Sequence, residues 1–339
     1  MQAELESRSQ ELEGVIKSIY FGGGTPSVLA PDELKQLLDT ASALATISED
    51  AEITLEANPD DLSLDQLDAW KTLGINRLSM GIQSFHEEDL KWMNRAHSAK
   101  EALSAIDMAR QAGFERFTID LIYGLPYWKE DEWRRNLDAL QTLDVDHFSC
   151  YLLTVEEGTA LGHRVAKQKE SLATEELVER NYAELCDFAS AAGYDHYELS
   201  NFTKPGKQAV HNTSYWRGES YLGIGPGAHS FDGSIRRWNV SSNPGYIRKM
   251  SLGEAFFEQE TLSKQDRYNE YIMTGLRTAR GISLGESQAL FGLRPDLVDP
   301  KKWEERLRAG HLISSGDRYR VPEASWLLTD SIASDLFAL

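Results

Sequence analysis

Short apolar runs alternate with amphipathic stretches through the first half of the chain, and that alternation sets the expected fold. Residues 1–14 are polar and helix-favouring and stop at Gly14. Ser18-Ile19-Tyr20-Phe21 then reads as a buried strand that ends on Gly22-Gly23-Gly24. Leu34, Leu37, Leu38, Ala41 and Leu44 recur at helical spacing between Pro31 and Ala45. Residues 51–59 read as a short alternating strand halted by Pro59, and Leu62 to Leu73 predicts a helix stopped at Gly74. The unit then repeats. A strand at 76–85 precedes a short helix at 87–93 and a longer one at 100–111, ending at Gly113. A strand at 116–126, a helix from about Glu130 to Leu143 and a strand at 145–153 follow. Such alternation predicts an α/β fold with a parallel sheet and outer helices, either a barrel or a doubly wound sheet.

Beyond residue 154 the periodicity is lost. Residues 173–191 predict one long helix, feeding a compact stretch at 194–202. Two patches rich in aromatics, histidine and glycine follow, His211-Asn212-Thr213-Ser214-Tyr215-Trp216 and residues 221–231; they suit a flat aromatic ligand packed against close backbone. Towards the end, helices are expected at 268–279, 284–291 and 301–309, a hairpin across 315–317, and a closing helix at 325–337. Three helices and a hairpin predict a small winged-helix-like unit. The expected division is 1–160, 161–261 and 262–339.

Composition narrows the function. The formal charge of −19 repels a phosphate backbone, so no nucleic-acid partner is expected, and Arg236-Arg237 reads as a solvated turn. No apolar run is long enough for stable membrane insertion, and the amino terminus carries no signal-peptide pattern, which predicts a cytoplasmic protein. The two cysteines, Cys150 and Cys186, read as buried reduced thiols and are too few to hold an iron–sulfur cluster.

In either α/β architecture a ligand sits at the carboxyl ends of the strands. Those ends carry Gly22 to Thr25, Glu56, Gln83, Asp120 and Thr154. Each alone reads as a helix cap; their recurrence reads as a site for a small polar molecule with an amino acid or phosphate end.

The motifs FGGGTP at 21–26, LEANP at 55–59, SMGIQSF at 79–85, NRAH at 94–97, IDLIYGLP at 119–126, then YELSNF, HNTSYW and GIGPGAHSF, resemble the coproporphyrinogen oxidase-like branch of the radical S-adenosylmethionine family, and within it the heme chaperones. The likeness runs from Ile16 onward and implies a partial (β/α) barrel. It implies that Gly23, Gly24 and Thr25 hold the methionine end of S-adenosylmethionine, with Glu56, Gln83, Arg95 and Asp120 around the same molecule. An arginine suits the ligand's carboxylate, Glu56 or glycine carbonyls its ammonium, and Gln83 and Asp120 the ribose hydroxyls. From residues alone, a surface ion pair with Glu88 or Asp89 is the commoner reading of Arg95. The resemblance also implies heme on His211, with Tyr215 and Trp216 stacking on the porphyrin, and heme-accepting proteins as partners. His211 otherwise reads as a hydrogen-bonded structural residue, and His229 is a second candidate or a brace for the glycine turns.

The family holds a [4Fe–4S] cluster with a CxxxCxxC motif ahead of the GGGTP strand. Residues 1–14 contain no cysteine. The expectation is therefore a shortened chain or a relative without the cluster, lacking the barrel's first strand and unable to cleave S-adenosylmethionine reductively; no residue is assigned as catalytic. The alternative function is an oxygen-independent coproporphyrinogen III oxidase, decarboxylating two propionates by radical chemistry.

Overall fold

The computed structural model describes residues 1–128 and 131–339. The elements of the first half are α1 (Gln2–Ser7), β1 (Val15–Phe21), α2 (Pro31–Leu44), β2 (Thr46–Ala57), α3 (Leu64–Thr72), β3 (Arg77–Gln83), α4 (Glu87–Trp92), α5 (Ala99–Gln111), β4 (Phe117–Tyr123), α6 (Glu132–Leu143) and β5 (His147–Leu152). The expected start of α6 at Glu130 lies outside the described residues. Next come α7 (Ala160–Ala166), α8 (Glu175–Ala191), β6 (Asp195–Glu198), β7 (Asn201–Thr203) and α9 (Val210–Trp216). After them lie β8 (His229–Phe231), β9 (Ile235–Asn239), α10 (Asn243–Leu252), β10 (Phe257–Thr261), α11 (Lys264–Leu276) and β11 (Ile282–Ser283). The chain ends with α12 (Leu284–Phe291), α13 (Pro295–Val298), α14 (Pro300–Arg308), β12 (Ile313–Ser315), β13 (Arg318–Arg320) and α15 (Thr329–Asp335).

Residues 20–29 and 53–208 form one compact unit, and 1–19, 30–52 and 209–339 the other. A seven-stranded sheet runs in the order β1-β2-β3-β4-β5-β7-β6. The pairs β2–β3, β3–β4 and β4–β5 are parallel, whereas β7 joins β5 and β6 antiparallel. This is the α/β partial barrel expected from the pattern, closed by a hairpin whose three- and four-residue strands are too short for their alternation to register in sequence.

The two faces of the sheet differ in chemistry because successive side chains alternate. Leu55, Leu78, Met80, Ile82, Ile119, Leu121, Phe148 and Phe202 are buried on one face, which helices such as α5 (Ala102, Ala105, Ile106, Ala109) and α8 (Leu185, Phe188, Ala189) cover. Thr54, Glu56, Ser79, Thr118, Asp120, His147, Ser149 and Asn201 occupy the alternate positions. The polar face is therefore the interior of the half-barrel.

Three expectations change. β1 is an edge strand, so Ser18 to Phe21 are half-exposed or, at Tyr20, exposed rather than buried. Arg236 and Arg237 lie on β9, not a turn, and pair with Glu270 and Glu11. The closing helix is split into a 3-10 turn over Glu323–Leu328 and α15.

In the second unit β8, β9 and β10 form an antiparallel sheet, and β11, β13 and β12 another, packed with α11, α12 and α15. Buried Glu4 of α1 anchors the Gly223–Gly225 turn: it accepts from Gly225 N–H (2.8 Å), Asn239 (2.7 Å), Tyr246 (2.6 Å) and Arg8 (3.1 Å).

Candidate S-adenosylmethionine and heme sites

In the unit of residues 20–29 and 53–208, strand ends bring several expected residues together. Glu56, closing β2, accepts from the Tyr20 hydroxyl (2.7 Å) and from the Gly23 N–H (3.1 Å), which ties the glycine loop to the second strand. A Cβ on Gly22 would run into the Tyr20 ring and lie 2.6 Å from Glu56 Oε1, so any larger residue would push these side chains out of their present positions. Gly23 has φ +77°, and a Cβ on Gly24 would meet nothing within 4 Å, so the loop is an exposed cradle with room above it. Thr25 is exposed at its end.

Gln83 and Arg95 meet over Gly81. From the position of a Gly81 Cβ, Gln83 Nε2 is 2.9 Å away, Arg95 Nη2 3.4 Å and Asn58 Oδ1 3.6 Å. Gln83 holds φ +64° at a β3 irregularity, a backbone strain that non-glycine residues keep chiefly where surroundings impose it. Arg95 follows left-handed Asn94 (φ +56°) after α4. Its guanidinium donates to Asn58 Oδ1 (2.8 Å) and the Gly81 carbonyl (3.4 Å), and it forms no ion pair among the described residues. The expected pairing with Asp89 is absent because Asp89 accepts from Ser84, Tyr127 and Trp128 instead. A half-buried arginine hydrogen-bonded to neutral groups, with the charge of Asp60 nearby, still has donors to offer an incoming carboxylate.

Asp120 on β4 accepts from Ser79 (3.1 Å). Burial raises its carboxyl to about 6, hydrogen bonds from Ser149 and Ser79 oppose the rise, and the charge of Glu56 adds to it. Desolvation of their hydroxyl ends likewise raises Tyr20 and Tyr151, whose side chains are otherwise partly exposed, with the charges of Glu56 and Asp120 adding at Tyr20 and that of Asp120 at Tyr151. The interior is thus acidic and hydroxyl-rich, suited to a cation bearing hydroxyls. Sequence reasoning passed over Tyr20, Asn58 and Ser79; their period-two placement on the polar strand face was the available signal for Ser79. Cys150 alternates with Ser149 and Tyr151, so its thiol sits on the helix-covered face, buried and pushed well above its ordinary pKa; Cys186 on α8 is half-buried.

In the other unit His211, Tyr215 and Trp216 share α9, with His211 and Tyr215 one turn apart on the same face. Buried Glu52 of β2 accepts the first-turn N–H groups of Val210 (3.0 Å) and His211 (2.9 Å). His211 Nδ1 meets Ser18 Oγ at 3.1 Å. Burial lowers the His211 pKa, against the charge of Glu52, so the imidazole is neutral near pH 7 and competent as an iron ligand. Tyr215 is exposed and stands edge-to-face to Trp216, 5.7 Å between centroids. His229 lies on β8, exposed and stacked with Trp238.

The radical SAM superfamily pattern matches residues 2–140, and the HemN C-terminal domain pattern residues 262–328. The heme chaperone HemW of Bacillus subtilis (strain 168) is 32% identical over 319 residues, covering 94% of this chain and 84% of its own. That of Escherichia coli (strain K12) is 35% identical over 321 residues, covering 94% and 83%. The chain belongs to the HemW family. Its fold is also that of the coproporphyrinogen III oxidase HemN from Escherichia coli, with a TM-score of 0.84 at 22% identity over 99% of this chain and 81% of the other. Membership of the radical SAM superfamily implies S-adenosylmethionine and a [4Fe–4S] cluster. Among the described residues no helix is long and apolar enough to cross a membrane.

Proposed function

We propose that the chain is a heme chaperone that binds S-adenosylmethionine and heme and delivers heme to acceptor proteins in the cytoplasm. The observation that carries the reading is the neutral, half-buried imidazole of His211, fixed at Nδ1 by Ser18 and one turn from exposed Tyr215, in a chain whose relatives are named heme chaperones. A hydrogen bond at one ring nitrogen orients the other toward a metal. His211 is the iron ligand; Tyr215 and Trp216 pack on the porphyrin; His229 braces the glycine turns.

S-adenosylmethionine is held in the other unit by the Gly23-Gly24-Thr25 cradle, with Glu56 at its ammonium, Arg95 at its carboxylate and Gln83 and Asp120 at its ribose. When bound it supplies a sulfonium cation, which the carboxylates of Glu56 and Asp120 suit. The three cysteines of a CxxxCxxC motif are not among these 339 residues, and the proposed activity is one of binding and transfer, with no residue assigned as catalytic. Residues 1–160, 161–261 and 262–339 are its proposed functional segments. The oxidase alternative gains nothing from the HemN likeness, which concerns fold.

The test is transfer. Chain loaded with hemin is mixed with apomyoglobin and followed through the shift of the Soret band. Stoichiometric loading followed by release supports the reading; a chain that takes up no hemin at micromolar concentration contradicts it.

A further inference from the structure

Three side chains beside the glycine cradle form a relay that ends on Arg95. Ser27, fully buried just beyond the cradle, donates to Asp61 Oδ2 (2.6 Å). Asn58 Nδ2 approaches the same oxygen (3.4 Å), and Asn58 Oδ1 accepts from Arg95 (2.8 Å). Gln66 further ties the loop by donating to the Ser27 carbonyl (3.4 Å). Asn58 thus stands between an anion and a cation, and only one amide orientation satisfies both: the reverse would set NH₂ against guanidinium and oxygen against carboxylate. Gly81 contributes by absence, since a Cβ there would lie 2.9 Å from Gln83 Nε2 and 3.4 Å from Arg95 Nη2.

We propose that Asn58, locked by Asp61 and Ser27, is a positioning residue that holds Arg95 at the cradle without neutralising it, so that the guanidinium keeps its charge for the carboxylate of an amino acid ligand. The inference rests on Arg95 being the partner of the S-adenosylmethionine carboxylate. An aspartate at position 58 has nearly the same shape but pairs with Arg95 directly, and a buried bidentate or charge-assisted pair is the stronger interaction. The neutral amide therefore sets ligand discrimination, while the Ser27–Asp61 bond makes the loop and the arginine move as one body.

The experiment compares S-adenosylmethionine with its decarboxylated analogue by calorimetric titration of the full chain. Wild type binds the carboxylated ligand at least tenfold more tightly. Asn58→Asp reduces that preference to twofold or less and leaves affinity for the decarboxylated analogue within threefold, while its second oxygen, facing Asp61, lowers the unfolding midpoint. Asn58→Ser, neutral but too short to reach Arg95, retains an intermediate preference and serves alone should the aspartate variant not fold. No preference in wild type overturns the Arg95 assignment itself. A wild-type preference that survives in Asn58→Asp, equal losses in both variants, or an unchanged preference in Asn58→Ser overturns the role of Asn58 while leaving Arg95 in place.

Discussion

Replacing Asp120 by asparagine tests the electrostatics of the half-barrel interior. Burial raises its carboxyl from 3.8 to about 6, over the opposing hydrogen bonds from Ser149 and Ser79. The folded protein therefore binds this proton more tightly than the unfolded chain. Its contribution to stability is complete below about pH 4 and is lost as the pH rises through about 6. About two pH units at 1.36 kcal/mol each amount to about 3 kcal/mol. Asparagine keeps an oxygen for Ser79 and carries no charge, so Asp120→Asn is free of this loss. Denaturant unfolding of both proteins between pH 4 and pH 8 should show the variant gaining about 3 kcal/mol on wild type across that range. Affinity runs the other way: a ribose hydroxyl donates best to the ionised carboxylate, so wild-type affinity for S-adenosylmethionine rises through pH 6. A stability difference that stays flat from pH 4 to pH 8, or that shrinks as the pH rises, refutes the reasoning.

Two further outcomes separate structure from binding. Gln83→Gly relieves a left-handed backbone worth about 1 kcal/mol and removes a ligand contact, so the unfolding midpoint holds or rises while S-adenosylmethionine affinity falls about tenfold; a parallel loss of both would assign Gln83 to the scaffold. Glu4→Ala strips a fully buried carboxylate from four donors and costs about 3 kcal/mol in equilibrium unfolding; a cost below about 1 kcal/mol would mean that α1 does not anchor the Gly223–Gly225 turn.

Much of the fold was legible because strands and helices of the first half each bury one clear stripe. The candidate site at their ends drew notice for a related reason: Glu56, Gln83 and Asp120 interrupt apolar runs where packing alone has no use for them. What escaped depends on partners distant in sequence. HNTSYW has little helix propensity, yet it forms α9 because Glu52, 158 residues from Val210, satisfies its first turn. Asn58 looked like part of a strand stop, and its proposed positioning role rests on Arg95, 37 residues on, which donates to it. Tyr20 read as buried because aromatic runs usually pack inside sheets; edge position is set by strand order, which one strand's own pattern does not encode.

The most direct measurement is equilibrium titration of hemin into wild-type chain and His211→Ala, followed by the Soret band and by the spin-state bands of the ferric complex. Wild type should saturate at one heme with the spectrum of an imidazole-ligated iron, and His211→Ala should lose that spectrum and bind at least tenfold more weakly with an unchanged unfolding midpoint. An alanine variant that takes up heme with wild-type affinity and the same ligation spectrum would contradict the account.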